Sequence, residues 1–244
     1  MRAILTFHGI GPGTDPLSFH PDSLVHLLDA LAASGHRVVP LTELLAHPGV
    51  PDQVALTFDD ALASVVEEAL PVLARRDLVA TVFVVTDYLG RDNGWPSQPA
   101  SVTRVPTMGW GELEALLEAG WDVGSHTATH PDVRGLPESQ LEDEIGGAVA
   151  TIRARLGTDP VALAWPCGLS DAPARAVAER HHRWGLGTRL APLDPAVDHP
   201  LTLPRLDAYY LRERWTHGLF GGELFSGWLN VRRRLRTLRH GAEA

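Results

Sequence analysis

Apolar positions along the chain fall into two alternating patterns. Short continuous apolar runs read as buried strands, and longer stretches with apolar residues three and four apart read as amphipathic helices. Ala3–Phe7 opens as a strand. Pro21–Ser34 follows as a helix with Leu24, Leu27, Leu28 and Leu31 on one face, stopped by Gly35. The pattern then predicts strand Arg37–Leu41, helix Thr42–Ala46, strand Gln53–Phe58 and helix Ala63–Arg76. Pro71 should kink or split that last helix. Strand Val79–Val85 leads into an irregular stretch, Asp87–Pro106, of a length that usually carries function. Beyond it come helix Trp110–Ala119, strand Trp121–Gly124, helix Glu138–Leu156, strand Val161–Trp165, helix Ala172–His181, strand Trp184–Thr188 and a last extended segment, Leu201–Leu206. About seven strand–helix units predict an α/β domain with a mostly parallel sheet, closed or nearly closed into a barrel, with an open doubly wound sheet as the alternative.

Polar residues break this pattern at predicted strand ends. They are His8, the pair Asp59-Asp60, the pair His126 and His130, and the turn Pro166-Cys167-Gly168. In parallel α/β folds the C-terminal strand ends are where chemistry gathers. Two imidazoles four apart project to one side if the segment turns helically, and they suit zinc, cobalt, nickel or iron. Adjacent carboxylates repel unless a cation sits beside them; a metal on one, with the other acting as base, resolves this. The plainer alternatives are loop histidines and an aspartate N-cap on the following helix. Gly9-Ile10-Gly11 is too short for a phosphate-binding fingerprint.

Charge and cysteine content narrow the function classes. The 244-residue chain carries 21 basic and 30 acidic residues, a formal charge of −9, which argues against nucleic-acid binding. Its single cysteine, Cys167, allows no intrachain disulfide. The N-terminal segment reads as too short in its apolar core for a secretion signal, so the expected compartment is the cytoplasm.

Taken together, Leu56-Thr57-Phe58-Asp59-Asp60, Gly124-Ser125-His126-Thr127-Ala128-Thr129-His130 and Ala164-Trp165-Pro166-Cys167-Gly168 resemble the three leading motifs of the polysaccharide deacetylase family, the NodB-homology or carbohydrate esterase 4 group. The likeness spans at least residues 3–190. It implies a distorted (β/α)7-like barrel and removal of N-acetyl groups from a carbohydrate substrate. It also implies a divalent metal, zinc first, on Asp60, His126 and His130, with Asp59 as general base and the Cys167 N–H in the oxyanion hole. The chain departs from the pattern in three places. Ala61 stands for the usual glycine, Ala164 stands where many members carry a base-orienting arginine, and the late histidine motif that supplies the general acid is missing. Leu5-Thr6-Phe7-His8-Gly9-Ile10 resembles the poly-N-acetylglucosamine deacetylase branch, in which that motif looks moved to the front, so His8 is the expected acid. An amidase acting on a small non-sugar amide and an inactive carbohydrate-binding homologue are the competing readings.

Trp95, in the long loop, is the exposed candidate for stacking on a sugar. Trp165 is a second candidate, though its place on a regular element favours the core. Arg205 lies at a strand end and is a candidate to orient Asp59 or bind substrate. Residues 1–215 form the expected catalytic domain and 216–244 a basic helical extension. In that extension Trp228, Val231, Leu235 and Leu238 recur at helical spacing among Arg232, Arg233, Arg234, Arg236 and Arg239. Such a helix either packs on the barrel or lies on an anionic membrane.

Overall fold

A computed structural model describes residues 1–13 and 15–240, the side chains of 237–240 excepted. Among the described residues, eight parallel strands form one curled sheet. They are β1 (Ala3–Phe7), β2 (Arg37–Val38), β3 (Gln53–Phe58), β4 (Thr81–Val84), β5 (Asp122–Ser125), β6 (Leu163–Ala164), β7 (Gly185–Leu186) and β8 (Leu206–Asp207). Their order is β8-β1-β3-β4-β5-β6-β7, with β2 sharing an edge of β3. That edge is divided along its length: Gln53 and Val54 pair with β2, while Thr57 and Phe58 pair with β4. The split makes the wall irregular, as the expected distorted barrel requires.

The two ends of the sheet approach each other through the chain just before β8. Leu203 exchanges backbone hydrogen bonds with Gly185 and Gly187 of the β7 region, and Leu206 lies in register with Leu5 of β1. The predicted strand Leu201–Leu206 is therefore shorter than its apolar pattern. Pro204 has no N–H to give a continuous ladder, so the segment bonds to β7 before it and to β1 after it.

Strand alternation sorts side chains into two layers. Leu5, Phe7, Val54, Leu56, Phe58, Val82 and Val84 face the helices and join the main core. Ile4, Ala55, Phe83, Ala164, Leu186 and Leu203 form a second cluster inside the curl. The inward parity continues through Thr6 to His8 on β1 and through Thr57 to Asp59 on β3. Gly124 leaves room for this inner layer, since a Cβ there would stand 2.3 Å from the Phe83 ring.

The helices are α1 (Pro21–Ala33), α2 (Leu41–Ala46), α3 (Leu70–Ala74), α4 (Trp110–Glu118), α5 (Glu138–Leu141), α6 (Gly147–Leu156), α7 (Ala172–Ala178), α8 (Arg214–His217) and α9 (Glu223–His240). The predicted strand Arg37–Leu41 ends early because Pro40 and Leu41 begin α2. The predicted helix Ala63–Arg76 splits as Pro71 demands, into a π-helical turn at Val65–Ala69 followed by α3. A second π-helical turn, Glu142–Gly146, interrupts the predicted helix Glu138–Leu156 between α5 and α6. No described helix is long and apolar enough to cross a membrane. Within the predicted 216–244 extension, Phe220, Phe225 and Leu229 belong to the main core; residues 241–244, and the side chains of Leu238 and Arg239, lie outside the described residues.

Candidate metal centre and catalytic site

The ends of β1, β3, β5 and β8 bring four of the sequence motifs together. Asp59 follows β3 on the inward face, and its N–H donates to the Phe7 carbonyl at 2.9 Å, which sets it beside His8. Opposite it, Arg205 reaches in from the residue before β8. Its Nη1 and Nη2 donate to Asp59 Oδ1 and Oδ2 at 2.7 and 2.8 Å, a two-pronged pair. Two further donors are also used. Nε bonds the Gly187 carbonyl at 2.9 Å and Nη1 bonds Thr6 Oγ1 at 2.9 Å. Arg205 is 1% exposed, so it orients Asp59 and is not an open substrate contact. It reaches Asp59 from a different strand than the one that carries Ala164. Burial alone would discourage Asp59 from ionising. The charge of Arg205, with His126, the paired hydrogen bonds and His8, outweighs this and holds the carboxyl far below the usual carboxylate range.

Asp60 is as buried as Asp59 but has a different neighbourhood. It adopts a left-handed backbone, φ 69°, which turns its side chain from the pattern of its strand. Its Oδ1 has no hydrogen-bond partner and lies 3.4 Å from His126 Nε2 and 3.8 Å from His130 Nε2. One ligand atom from each of the three residues lies within 4.8 Å of the other two. The aspartate N-cap alternative fails: the helical segment begins only at Val65, and neither carboxylate caps it.

Both imidazoles are held by their far nitrogens. His126 Nδ1 donates to the Ala164 carbonyl at 2.7 Å, and His130 Nδ1 lies 3.3 Å from Ser97 Oγ, which itself donates to the His130 carbonyl. Fixing Nδ1–H in this way leaves each Nε2 lone pair aimed towards Asp60, the arrangement common to metal-binding histidines. Burial and the His126 charge push the His130 pKa down to about 4, so that ring stays neutral and able to donate its lone pair. For His126 burial acts in the same direction, but the nearby Asp60 and Asp59 carboxylates and the Ala164 carbonyl overcome it and raise its pKa. Two imidazole nitrogens facing an unsatisfied buried carboxylate oxygen fit a divalent metal of the zinc class.

The segment between the histidines does not turn helically, contrary to the spacing argument. Thr127 and His130 have φ of 67° and 58°, and the rings meet edge to face with centroids 4.7 Å apart. A carboxylate that the sequence reading missed shapes this loop. Glu144 Oε2 accepts from the N–H groups of Ala128 and Thr129 at 3.1 and 2.9 Å, and Oε1 accepts from Thr129 Oγ1 at 2.6 Å. Glu144 sits in the second π-helical turn, a feature often found at functional sites. Its helical periodicity carried no sign of this role. Thr6 and Ser97 were also missed. Thr6 had a legible signal, a polar residue two before His8 on the inward face.

The Trp95 expectation is corrected, and of the two readings of Trp165 the core one holds, so neither ring is a sugar-stacking surface. Trp95 is not an exposed stacking surface: it is 2% exposed and stacks on the His130 ring at 4.6 Å and 30°. The long loop folds back over the site, and its tryptophan braces the histidine. Trp165 is fully buried, and its Nε1 donates to the Leu201 carbonyl at 2.6 Å, tying β6 to the segment that closes the sheet. Cys167 is exposed and left-handed, φ 54°, on the short turn after β6. Of the seven non-glycine residues with positive φ among those described, five (Asp60, Ala61, Thr127, His130 and Cys167) ring this site. Such clustering is typical of functional centres.

The sequence profile described as polysaccharide deacetylase matches residues 47–183, more than half of the chain. The chain belongs to the polysaccharide deacetylase family. IcaB from Ammonifex degensii is similar in structure, with a TM-score of 0.74 at 22% identity over 86% of this chain and 94% of that one. The Streptococcus pyogenes deacetylase PplD matches with a TM-score of 0.71 at 20% identity, covering 84% and 91%. The BpsB deacetylase domain from Bordetella bronchiseptica matches with a TM-score of 0.69 at 19% identity, covering 84% and 95%. These likenesses support the curled-barrel fold of the family. A comparison with curated protein sequences found no match.

Proposed function

We propose that this polysaccharide deacetylase family member hydrolyses the acetamide of an N-acetylated sugar, oligosaccharide, polysaccharide or glycoconjugate precursor, using a divalent metal on Asp60, His126 and His130. The observation that carries the reading is the divergence of two adjacent buried aspartates. Arg205 pairs with both oxygens of Asp59, while Asp60 Oδ1 faces two imidazoles without a hydrogen-bond partner. Zinc suits the donor set best, with cobalt, nickel or iron as alternatives. Bound there, the metal would supply Lewis acidity to the acetamide carbonyl and acidify water.

The chain's own groups divide the remaining work. Asp59 stays ionised at neutral pH and takes the proton of the attacking water; Arg205 fixes the orientation of its carboxylate. As the water oxygen bonds to the carbonyl carbon, the Cys167 N–H stabilises the developing oxyanion. His8 donates a proton to the nitrogen as the C–N bond breaks, so that acetate and a free amine leave. A cavity of about 530 Å³ is lined by Gly9, Gly11, Leu17, Leu62, Glu67 and Pro106 among others. Gly9 follows His8 in the chain and Leu62 follows Ala61, so this cavity is a candidate sugar-binding groove.

Elemental analysis of wild type and His126→Ala, combined with acetate release from a panel of N-acetylated sugars, tests the proposal. Near-stoichiometric metal that the variant loses, together with acetate release by the wild type, is the expected result. Asp59→Asn and His8→Ala should keep the metal and lose about 10²–10⁴ in rate. Absence of metal under metal-replete conditions overturns the mechanism, and metal without acetate release favours a small-amide substrate.

A further inference from the structure

The charge of this acidic protein is unevenly placed. Arg232, Arg233, Arg234 and Arg236 crowd into one stretch of α9, whose only acidic residue is Glu223. One side of α9 is packed. Phe225 and Leu229 are buried in the main core, and Arg236 Nη1 donates to the Thr188 carbonyl at 2.8 Å. Helical periodicity places Leu224, Val231 and Leu235 together on another side. They are 75%, 57% and 48% exposed.

Exposed apolar surface is concentrated here. Of seven exposed large hydrophobic side chains among the described residues, five (Tyr209, Trp215, Leu224, Val231 and Leu235) lie in this last part of the chain. Trp215, 55% exposed, meets the edge of Trp228 at 6.2 Å, and the Arg232 guanidinium lies 5.6 Å over the Trp228 ring. On the helix the apolar stripe runs between Arg232 on one flank and Arg234 on the other. Leucine and valine bordered by tryptophan and arginine make the surface of a helix that lies in a bilayer interface.

We propose that this face of α9, with Trp215, docks on an anionic lipid bilayer. The apolar stripe enters the headgroup boundary and the flanking arginines meet lipid phosphates. Charge complementarity selects this occupant. A second copy would bring two arginine clusters together, and a purely polyanionic partner leaves the apolar stripe unused. The remainder of the acidic molecule is repelled by the same surface, so docking fixes one orientation. That orientation has a consequence for the site. Thr188, which accepts from Arg236, also stands with its Oγ1 3.5 Å from the Cys167 carbonyl. The docked helix is thus anchored at the rim of the strand C-terminal ends. The benefit to catalysis on a membrane-borne sugar rests on the proposed function; the docking does not.

Sedimentation of the full chain with phosphatidylcholine vesicles, with and without phosphatidylglycerol, tests the proposal. The protein should pellet with anionic vesicles at low salt, detach as salt rises and ignore neutral vesicles. Arg232→Gln and Arg234→Gln should each weaken binding about fivefold, and Val231→Glu/Leu235→Glu by more than about tenfold. All three substitute exposed side chains and should keep the wild-type melting temperature and metal content. Failure of the wild type to bind anionic vesicles at low salt overturns the proposal. So does undiminished binding by the double glutamate variant, which would indicate adsorption by charge alone. A dimer that the double variant dissociates, without vesicle binding by the wild type, would assign the stripe to a second copy instead.

Discussion

The site has two halves that differ in how they are built. The half around Asp59 rests on strands: β1 supplies Thr6 and leads to His8, β3 leads to Asp59, and Arg205 precedes β8. Its ion pair is two-pronged, and each arginine nitrogen donates to an oxygen. The half around Asp60 rests on loops with left-handed residues, braced by Ser97, Trp95 and Glu144, and its central oxygen has no partner. The first half is finished as folded. In the second, Asp60 Oδ1 keeps bonding capacity that the described side chains do not use.

This contrast predicts opposite responses to removing a single charge. Asp59→Asn leaves the Arg205 charge buried without its counter-ion and should cost about 3–5 kcal/mol in denaturant unfolding. Asp60→Asn should cost far less in the metal-free protein, yet abolish the rise in melting temperature expected of the wild type on adding zinc. Equal losses in the two metal-free variants would erase the distinction between the halves. A smaller effect probes the loop-borne half. Trp95→Leu removes the ring stacked on His130 and should weaken metal affinity about 10–100-fold while leaving the Asp59 pair intact, measurable by competition with a chelating dye.

The smallest expected effect concerns acid. Arg205 holds the Asp59 carboxyl below its ordinary value, so the stability this contributes is complete above the unfolded carboxylate pKa of about 3.9 and is lost as pH falls towards the folded value. Arg205→Met should therefore flatten the decline of stability below about pH 4. A slope identical to that of the wild type would mean that other carboxylates dominate acid unfolding.

The strand-borne half was the more legible in sequence. Alternation carried Thr6 to His8 and Thr57 to Asp59 onto one face, and Arg205 stood out as a cation beside an apolar run. The loop-borne half kept its residue types visible but hid its geometry. Two histidines four apart implied a helical turn, whereas left-handed residues and a distant glutamate shape the segment. Trp95 was misread because local polarity marks a loop without revealing what the loop covers. Pro204 shortened β8, and both π-helical turns escaped notice, since hydrophobic periodicity does not distinguish a helix from one carrying an extra residue in a turn. The family match establishes kinship over residues 47–183, while the residue that completes the Asp59 pair lies beyond it.

That pairing also ties folding to the order of synthesis. Arg205 and Asp59 are separated by 146 positions, and Arg205 and Thr6 by 199. A nascent chain that has not yet released residue 205 from the ribosome possesses β1 through β7 but must either leave Asp59 hydrated or bury it without a counter-ion. The barrel interior therefore has an electrostatic reason to stay open until its final strand arrives.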